Sequence, residues 1–199
     1  DGLHRGVTGK SSGGYGAITL GMRHQDLFSA VACHSGDAYF QYCYLRDFPK
    51  AADAINKAGG VEAFLKQFDE APVKGPHIMV LNVIAMAAAY APDDASEIAL
   101  PFRLPSGELE PEVWSRWLEL DPVNMAERYA GNLRALKLLY IDAGEKDEFA
   151  LHLGARVLVE RLKLLEIPHR YEEHSGGHFG INYRYKVSLK LLANALVPD

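Results

Sequence analysis

The glycine-flanked serines of residues 9–14 (GKSSGG) restrict the possible folds of this chain more than any other stretch. A short run with apolar residues, 3–8, comes before them, and a run with helical spacing, 13–24, follows. A strand, a glycine-flanked serine and a helix together are typical of a nucleophile elbow, the tight turn that holds a reactive hydroxyl above the edge of a sheet. The stretch therefore predicts a serine nucleophile between a strand and a helix.

The spacing of the glycines indicates which serine is the candidate. In an elbow, the residues two before and two after the nucleophile have no room for a side chain. Gly9 and Gly13 meet this condition around Ser11, whereas a turn centred on Ser12 would place Lys10 at a crowded position. We therefore predict Ser11 as the nucleophile, with the backbone N–H of Ser12, at the positive end of the helix, as an oxyanion donor.

Two other interpretations of this stretch compete with the elbow. Gly-Lys-Ser also ends the P-loop of nucleotide-binding proteins, but that motif requires a glycine five residues before Gly9, where His4 stands. A turn rich in glycine and serine, without any chemistry, stays open because short motifs of this kind arise by chance. The rest of the chain has to decide between the elbow and the plain turn.

Composition excludes several classes of function. The 199 residues suffice for one sizeable domain, and a net charge of −5 argues against a nucleic-acid surface. The two cysteines, Cys33 and Cys43, form neither a disulfide framework nor a zinc pattern, and a buried free thiol is expected for Cys33.

The apolar run 78–91 contains Asn82 and is too short to span a bilayer, so it predicts a buried helix and no membrane partner. No secretory signal opens the chain, which favours a cytoplasmic location.

Both ends of the chain alternate strands with helices, as α/β proteins do. A continuous apolar run such as 27–33 suits a strand buried on both faces of a parallel sheet, and the polar alternation of 169–173 suits a strand at the sheet edge. We predict a single domain over residues 1–199, with a three-layer, mostly parallel sheet. The predicted strands are 3–8, 27–33, 136–142 and 169–173, and the helices around them are 13–24, 149–165 and 181–196.

The middle of the chain, residues 38–130, has a different character. It is rich in aromatic residues and prolines, shows short helical patterns such as 61–68, 76–91 and 112–120, and has no alternating strand. We interpret it as a helical cap inserted into the sheet domain. The candidate walls of a substrate pocket are Tyr39, Phe40, Trp114 and Trp117. Plain packing is the alternative for each of them, because aromatic residues dominate protein cores as readily as they line pockets.

An elbow serine needs a base to remove its proton and a carboxylate to orient that base. Asp147 lies in the loop after the third predicted strand, and His178 lies in a glycine-rich loop after the fourth. The order serine, acid, histidine is that of α/β hydrolases. Because the carboxyl ends of parallel strands meet at one edge of the sheet, Ser11, Asp147 and His178 can converge there. The sequence therefore predicts a serine hydrolase with these three residues.

Each member of the triad except the serine has a rival nearby. Asp142, at the end of the third strand, and Glu148, at the start of the following helix, could replace Asp147. His174 could replace His178, although two glycines before His178 allow its loop to bend back toward the serine. These alternatives stay open at this point.

The chain resembles the putative-esterase (esterase D-like) family of α/β hydrolases, which includes S-formylglutathione hydrolases, feruloyl and acetyl-xylan esterases, enterochelin esterases and mycolyl transferases. The segments that carry the resemblance are GKSSGGYGA, ACHSGD, YIDAGEKDEF and SGGHFG. The resemblance implies cleavage of a small-molecule carboxylic ester through an acyl-enzyme, without a metal or an organic cofactor. It assigns the nucleophile to Ser11, the acid to Asp147 and the base to His178.

The chain departs from the family pattern at its beginning. The family has strands before the elbow and a loop there that supplies a second oxyanion donor, and this sequence enters directly on the elbow strand. The strand edge between Leu3 and Val7 would then be open, and we expect a second copy of the chain to cover it. Two other functions stay in view: acyl transfer by the same triad, and a hydrolase remnant that binds a ligand without catalysis.

Overall fold

A computed structural model describes residues 2–70, 75–92 and 98–197. The chain divides into two compact units, and we describe each by itself. One unit contains the amino-terminal segment up to Cys43 and the segment from Asp121 onward, and it holds the sheet. The other unit spans Tyr44–Leu120 and is helical.

In the described residues, four parallel strands form the sheet in the order β1-β2-β3-β4, which is also their order along the chain. The strands are β1 (Gly6–Lys10), β2 (Ala30–His34), β3 (Leu138–Gly144) and β4 (Arg170–His174). The helices are α1 (Ser12–Arg23), α2 (Phe40–Cys43), α3 (Phe48–Ala58), α4 (Val61–Glu70), α5 (Gly75–Tyr90), α6 (Pro111–Leu118), α7 (Pro122–Arg128), α8 (Ala130–Arg134), α9 (Leu151–Leu164) and α10 (Tyr185–Leu196). The predicted parallel sheet is confirmed, and β4 lies at its edge as expected.

Alternation along β2 explains the three layers of this unit. Val31 and Cys33 pack into a core that α1, α7 and α9 share, whereas Ala30 and Ala32 pack on the opposite face, against Leu192 of α10. Successive side chains of a strand point to opposite faces of a sheet, so a strand that is apolar at every position requires a helix layer on each side. The three-layer α/β fold that the sequence predicted is therefore confirmed.

All four strands begin later than the sequence predicts, and the shift is largest for β1 and β2, at three residues each. Residues 3–5 precede β1, because Gly2–His4 form a 3-10 turn whose Leu3 carbonyl accepts a hydrogen bond from the Ser29 hydroxyl. The segment 27–29 precedes β2, because the amides of Leu27 and Phe28 donate to the carbonyl of His24 in a turn that follows α1. A hydrogen bond from a side chain at Leu3, and local backbone bonds at 27–29, thus take the place of the first ladder bonds of the expected strands.

The second unit has an aromatic core. Trp117 is fully buried and packs edge-on against Tyr44, Phe48 and Tyr90, with centroid distances of 5.3–5.6 Å. Edge-to-face contacts of this kind are the preferred arrangement of aromatic pairs. The helix α5 is less buried than predicted, since Ile78 is 54% exposed while one face, including Val83, is buried.

The predicted cap, residues 38–130, is wider than this compact unit. The segment 38–43, with α2, and the helices α7 and α8 belong with the sheet unit instead. A role of Tyr44–Leu120 as a cap stays a prediction. None of the helices in the described part of the chain is both long and apolar enough to cross a bilayer.

The outer edge of β1 yields a testable expectation. Within the described residues β1 pairs only with β2, so its other edge presents backbone N–H and C=O groups that can pair with another strand. We propose that a second copy of the chain covers this edge. One chain has a mass of 22.0 kDa, and light scattering at micromolar concentration should then give about twice that mass. A mass of one chain at every concentration would contradict the proposal.

Candidate active site

The turn between β1 and α1 has the shape of a nucleophile elbow. Ser11 sits between the two elements with φ 57° and ψ −131°, a left-handed φ that is costly for a residue with a side chain. Its backbone N–H donates to the carbonyl of His34, at 2.9 Å, and its carbonyl accepts the N–H of Tyr15, at 3.0 Å. Hydrogen bonds on both sides of Ser11 therefore hold the strained residue in place.

The crowding predicted around Ser11 is present on one side only. A Cβ on Gly9 would lie 2.1 Å from the carbonyl oxygen of Gly13, so a side chain cannot fit there. The expectation for Gly13 is wrong, because a Cβ at that position would meet nothing within 4 Å. Gly13 supplies the backbone that crowds Gly9 and is not itself crowded. The close approach on the helix side is made by Gly14, whose Cβ would lie 3.0 Å from the carbonyl oxygen of His34.

Ser11, His178 and Asp147 form one chain of hydrogen bonds. The Ser11 Oγ lies 3.1 Å from His178 Nε2, and His178 Nδ1 lies 2.8 Å from Asp147 Oδ2. The other oxygen of Asp147 accepts the backbone N–H groups of Phe149, at 2.9 Å, and Leu151, at 3.4 Å. With the proton of the imidazole on Nδ1, Nε2 is free to accept the serine proton. In this arrangement the imidazole can act as a base toward the serine while the carboxylate orients it.

Burial and hydrogen bonding act in opposite directions on the acid. Burial opposes ionisation of Asp147, but the hydrogen bond from His178 and the amides of Phe149 and Leu151 outweigh it and lower the pKa of the carboxyl. The carboxylate therefore stays ionised beside the imidazole and can stabilise the positive charge that an imidazolium would carry. His178 and Asp147 are both buried, at 4% and 6% exposure, whereas Ser11 is partly accessible.

Ser12, the predicted oxyanion donor, is exposed and is the first residue of α1. The first N–H groups of a helix have no partner within the helix and carry partial positive charge. The Ser12 amide is thus available next to the Ser11 hydroxyl for an oxygen that gains negative charge.

The three rival residues are engaged elsewhere in the structure. Asp142 pairs with His34, at 2.8 Å, and not with His178. Glu148 accepts the backbone N–H of His178, at 2.6 Å, which fixes the loop and leaves the imidazole to Asp147. His174 Nδ1 accepts the N–H of Gly176, at 3.2 Å, two residues along the same loop. Glu148 is a positioning residue that the sequence identified only as a rival.

Tyr39 and Phe40 occupy a turn that a buried aspartate organises. Their backbone N–H groups donate to the two carboxylate oxygens of Asp121, at 3.0 and 2.7 Å, and Asp121 also accepts the amide of Val123 at the start of α7. Burial raises the pKa of Asp121, although these amides oppose the shift. Phe40 is fully buried against Tyr15, while Tyr39 is partly buried. A role for either in substrate binding stays a prediction.

Trp114 and Trp117 lie in the helical unit. Both are buried, at 7% and 0% exposure, and their ring centroids are 5.9 Å apart in the aromatic core of that unit. Packing is therefore the role that their surroundings display, and a role in a substrate pocket stays a prediction.

A second serine–histidine–aspartate set was not identified from the sequence. His34 Nδ1 lies 2.8 Å from Asp142 Oδ1, and His34 Nε2 lies 2.8 Å from Ser188 Oγ on α10. All three side chains are at most 1% exposed, so no substrate can reach this serine. The sequence signal for this set is His34, which ends the apolar run of β2. Its partner Ser188 lies 154 residues further along the chain, in a helix that carries no recognisable motif.

The buried set continues into a network on β3, β4 and the start of α10. Arg184 donates to Asp142 Oδ2, at 2.7 Å, and to Glu172 Oε2, at 2.6 Å, and the Tyr140 hydroxyl lies 3.0 Å from both carboxylates. Burial opposes ionisation of Glu172, but hydrogen bonds from Arg184, Arg170 and Tyr140 lower its pKa to about 2. The network joins strand ends to the helix that follows the His178 loop.

In the described residues, no three histidine, cysteine or acidic side chains are grouped so that they could hold a metal ion.

The unequal crowding of the two glycines can be tested directly. Gly9→Ala should lower the free energy of unfolding by about 3 kcal/mol, because the new methyl group overlaps the Gly13 carbonyl. Gly13→Ala should raise it by up to about 1 kcal/mol, since alanine favours the helix and its methyl group is unobstructed. Urea unfolding of both variants measures the difference. Equal destabilisation by the two substitutions would show that the elbow is packed differently.

Glu172 should contribute to stability in a defined pH range. Its pKa falls from an ordinary 4.5 to about 2 in the folded chain. A lowered pKa adds stability that is complete above pH 4.5 and is lost as the pH falls toward 2. Unfolding of Glu172→Gln should therefore depend less on pH in this range than unfolding of the parent. Glu160→Gln, at an exposed pair with Lys163, should leave the acid dependence unchanged, and an effect equal to that of Glu172→Gln would refute the assignment.

Comparisons with known proteins bear on the fold and the family of the chain. A structure of a ferulic acid esterase matches 98% of this chain and 52% of its own, with 17% identity and a TM-score of 0.52. Dipeptidyl peptidase 4 of Porphyromonas gingivalis matches 98% of this chain and 20% of its own, with 15% identity and a TM-score of 0.54.

The chain thus spans about half the length of the first structure, and at such low identity these similarities concern the fold alone. No curated protein matches the chain by sequence. The family model described as "Putative esterase" matches residues 1–188, nearly the whole chain. The chain belongs to the putative esterase family.

Proposed function

We propose that this chain carries the hydrolytic centre of a serine esterase, with Ser11 as nucleophile, His178 as base and Asp147 as orienting acid. The observation that carries the proposal is the continuous hydrogen bonding from Ser11 Oγ through both nitrogens of His178 to Asp147. A partly accessible serine on a strained turn, beside a buried base, is what nucleophilic catalysis requires. Membership of the esterase family supports the same reaction class.

The reaction proceeds in two halves. The Ser11 Oγ attacks the carbonyl carbon of the ester while His178 Nε2 takes the hydroxyl proton, and Asp147 stabilises the imidazolium that forms. Collapse of the tetrahedral intermediate breaks the bond to the alcohol oxygen, which leaves with the proton from Nε2. The acyl group is then bound to Ser11. His178 Nε2 next takes a proton from water as its oxygen attacks the acyl carbonyl. Collapse of this second intermediate breaks the bond between the acyl carbon and Ser11 Oγ, the proton on Nε2 returns to Oγ, and the carboxylic acid is released.

The negative charge of each tetrahedral intermediate needs donors that are fixed in advance. The amide of Ser12 supplies one from the first position of α1. Loss of a single oxyanion donor costs about 10²–10³ in rate in enzymes of this type. The rate of this chain will therefore depend on whether a second donor faces the same oxygen.

The two serine–histidine–aspartate sets provide a matched test. A fluorophosphonate probe should label the parent chain, and Ser11→Ala should abolish labelling because it removes the attacking oxygen. Ser188→Ala removes the hydroxyl of the buried set and should leave labelling intact in folded protein, since that serine is inaccessible. Intact-protein mass spectrometry gives the readout, and circular dichroism confirms that each variant is folded. Labelling that survives in Ser11→Ala, or a folded parent that is never labelled, would refute the proposed nucleophile.

A further inference from the structure

Lys10 and Phe179 connect the two loops that carry the proposed nucleophile and base. Lys10 directly precedes Ser11, and Phe179 directly follows His178. The Lys10 ammonium lies over the Phe179 ring, 5.5 Å from its centroid, which is within the range of a cation–π contact. A positive charge and an exposed ring thus stand side by side at the site, each one residue from a member of the triad.

Among the residues that the structure describes, no carboxylate lies within ion-pair distance of the Lys10 ammonium, although acidic side chains are close to the triad. Asp147 is engaged with the imidazole of His178 and Glu148 with its backbone N–H. Since the whole chain has a net charge of −5, any attraction for an anion at this place must be local.

Aromatic surface continues from Phe179 along the imidazole. Phe149 packs edge-on against His178, with centroids 4.8 Å apart, and its ring lies 5.9 Å from that of Phe179. Phe149 is 40% exposed and Phe179 is 66% exposed. Single exposed aromatic residues need no explanation, but two that adjoin a proposed catalytic histidine form a surface on which an apolar part of a substrate can lie.

We propose that Lys10, held over Phe179, selects esters that carry a negatively charged group near the scissile bond. The inference rests on the proposed function, because it places the anion of the substrate within reach of the residue that precedes Ser11. The apolar part of the substrate lies on Phe179 and Phe149, and its anion meets the Lys10 ammonium. Lysine suits this task because its ammonium is a compact charge on a flexible stem that can follow the ligand.

Matched neutral and anionic esters test the selection. On the alcohol side, 4-acetoxybenzoate is compared with its neutral amide, 4-acetoxybenzamide. On the acyl side, the monophenyl ester of terephthalic acid is compared with phenyl 4-carbamoylbenzoate. The quantity of interest is the ratio of kcat/KM for the anionic ester to that for its neutral partner, since this ratio cancels general damage to the site.

The variants separate charge from packing. Lys10→Met keeps the apolar stem and should lower the ratio about fivefold on the side of the substrate where the anion binds, mainly through KM, which is the effect of losing a partly exposed charge pair. Lys10→Arg keeps the charge and should restore most of the ratio. Lys10→Glu should bring the ratio below that of Lys10→Met. Lys190→Met removes an exposed charge from α10 and is the control that should change nothing.

The outcomes distinguish the inference from the function on which it rests. If the esters of both pairs are cleaved and Lys10→Met leaves both ratios within twofold of the parent, the selection by Lys10 is refuted while the esterase stands. If Lys190→Met lowers the ratio as much as Lys10→Met, the effect belongs to net charge and the inference is likewise refuted. If no ester is cleaved and Ser11 is not labelled by the fluorophosphonate, the proposed function fails and the inference falls with it.

Discussion

The contact between two backbones at the elbow is the constraint on which the site depends. The carbonyl of Gly13 occupies the space in which a side chain of Gly9 would begin. This approach lets the chain reverse from β1 into α1 within one residue, and it forces Ser11 into a left-handed φ. Two hydrogen bonds hold the strain: the Ser11 N–H donates to the end of the neighbouring strand, and the Ser11 carbonyl accepts an N–H from the first turn of α1. A serine hydroxyl is thereby presented at the helix terminus, where developing negative charge is favoured.

Two sets of the same three residue types differ in their access to solvent. The set of Ser11 reaches the surface, and its three members come from three loops at the carboxyl edge of the sheet. The set of Ser188 is sealed between strand ends and α10, and arginine and tyrosine extend it into a charged network. Hydrogen bonds among such side chains favour a single packing arrangement, because a shift would leave a charge or a polar atom unpaired. Access to solvent, and not residue type, therefore distinguishes the two serines.

The parts of the site that obey local rules were visible in the sequence. Ser11, Asp147 and His178 each follow a recognisable strand, and parallel strands collect such loops at one edge. The role of Ser188 was not predictable, because it depends on a contact with His34 across most of the chain. The expectation for Gly13 failed because a sequence motif does not tell whether a glycine is itself crowded or supplies the backbone that crowds another residue. The predicted first residues of β1 and β2 were wrong, because short turns before these strands use the same backbone groups.

The carboxylate of Glu148 lies in the space that a side chain at Gly177 would occupy. A Cβ at Gly177 would lie 2.8 Å from one oxygen of Glu148, the group that also accepts the His178 amide. A methyl group added at Gly177 would push the Glu148 carboxylate away from the His178 amide. A shorter acid in place of Glu148 would leave space unfilled unless position 177 carried a larger residue. Related chains should therefore vary at these two positions together, a bulkier residue at one accompanying a smaller one at the other.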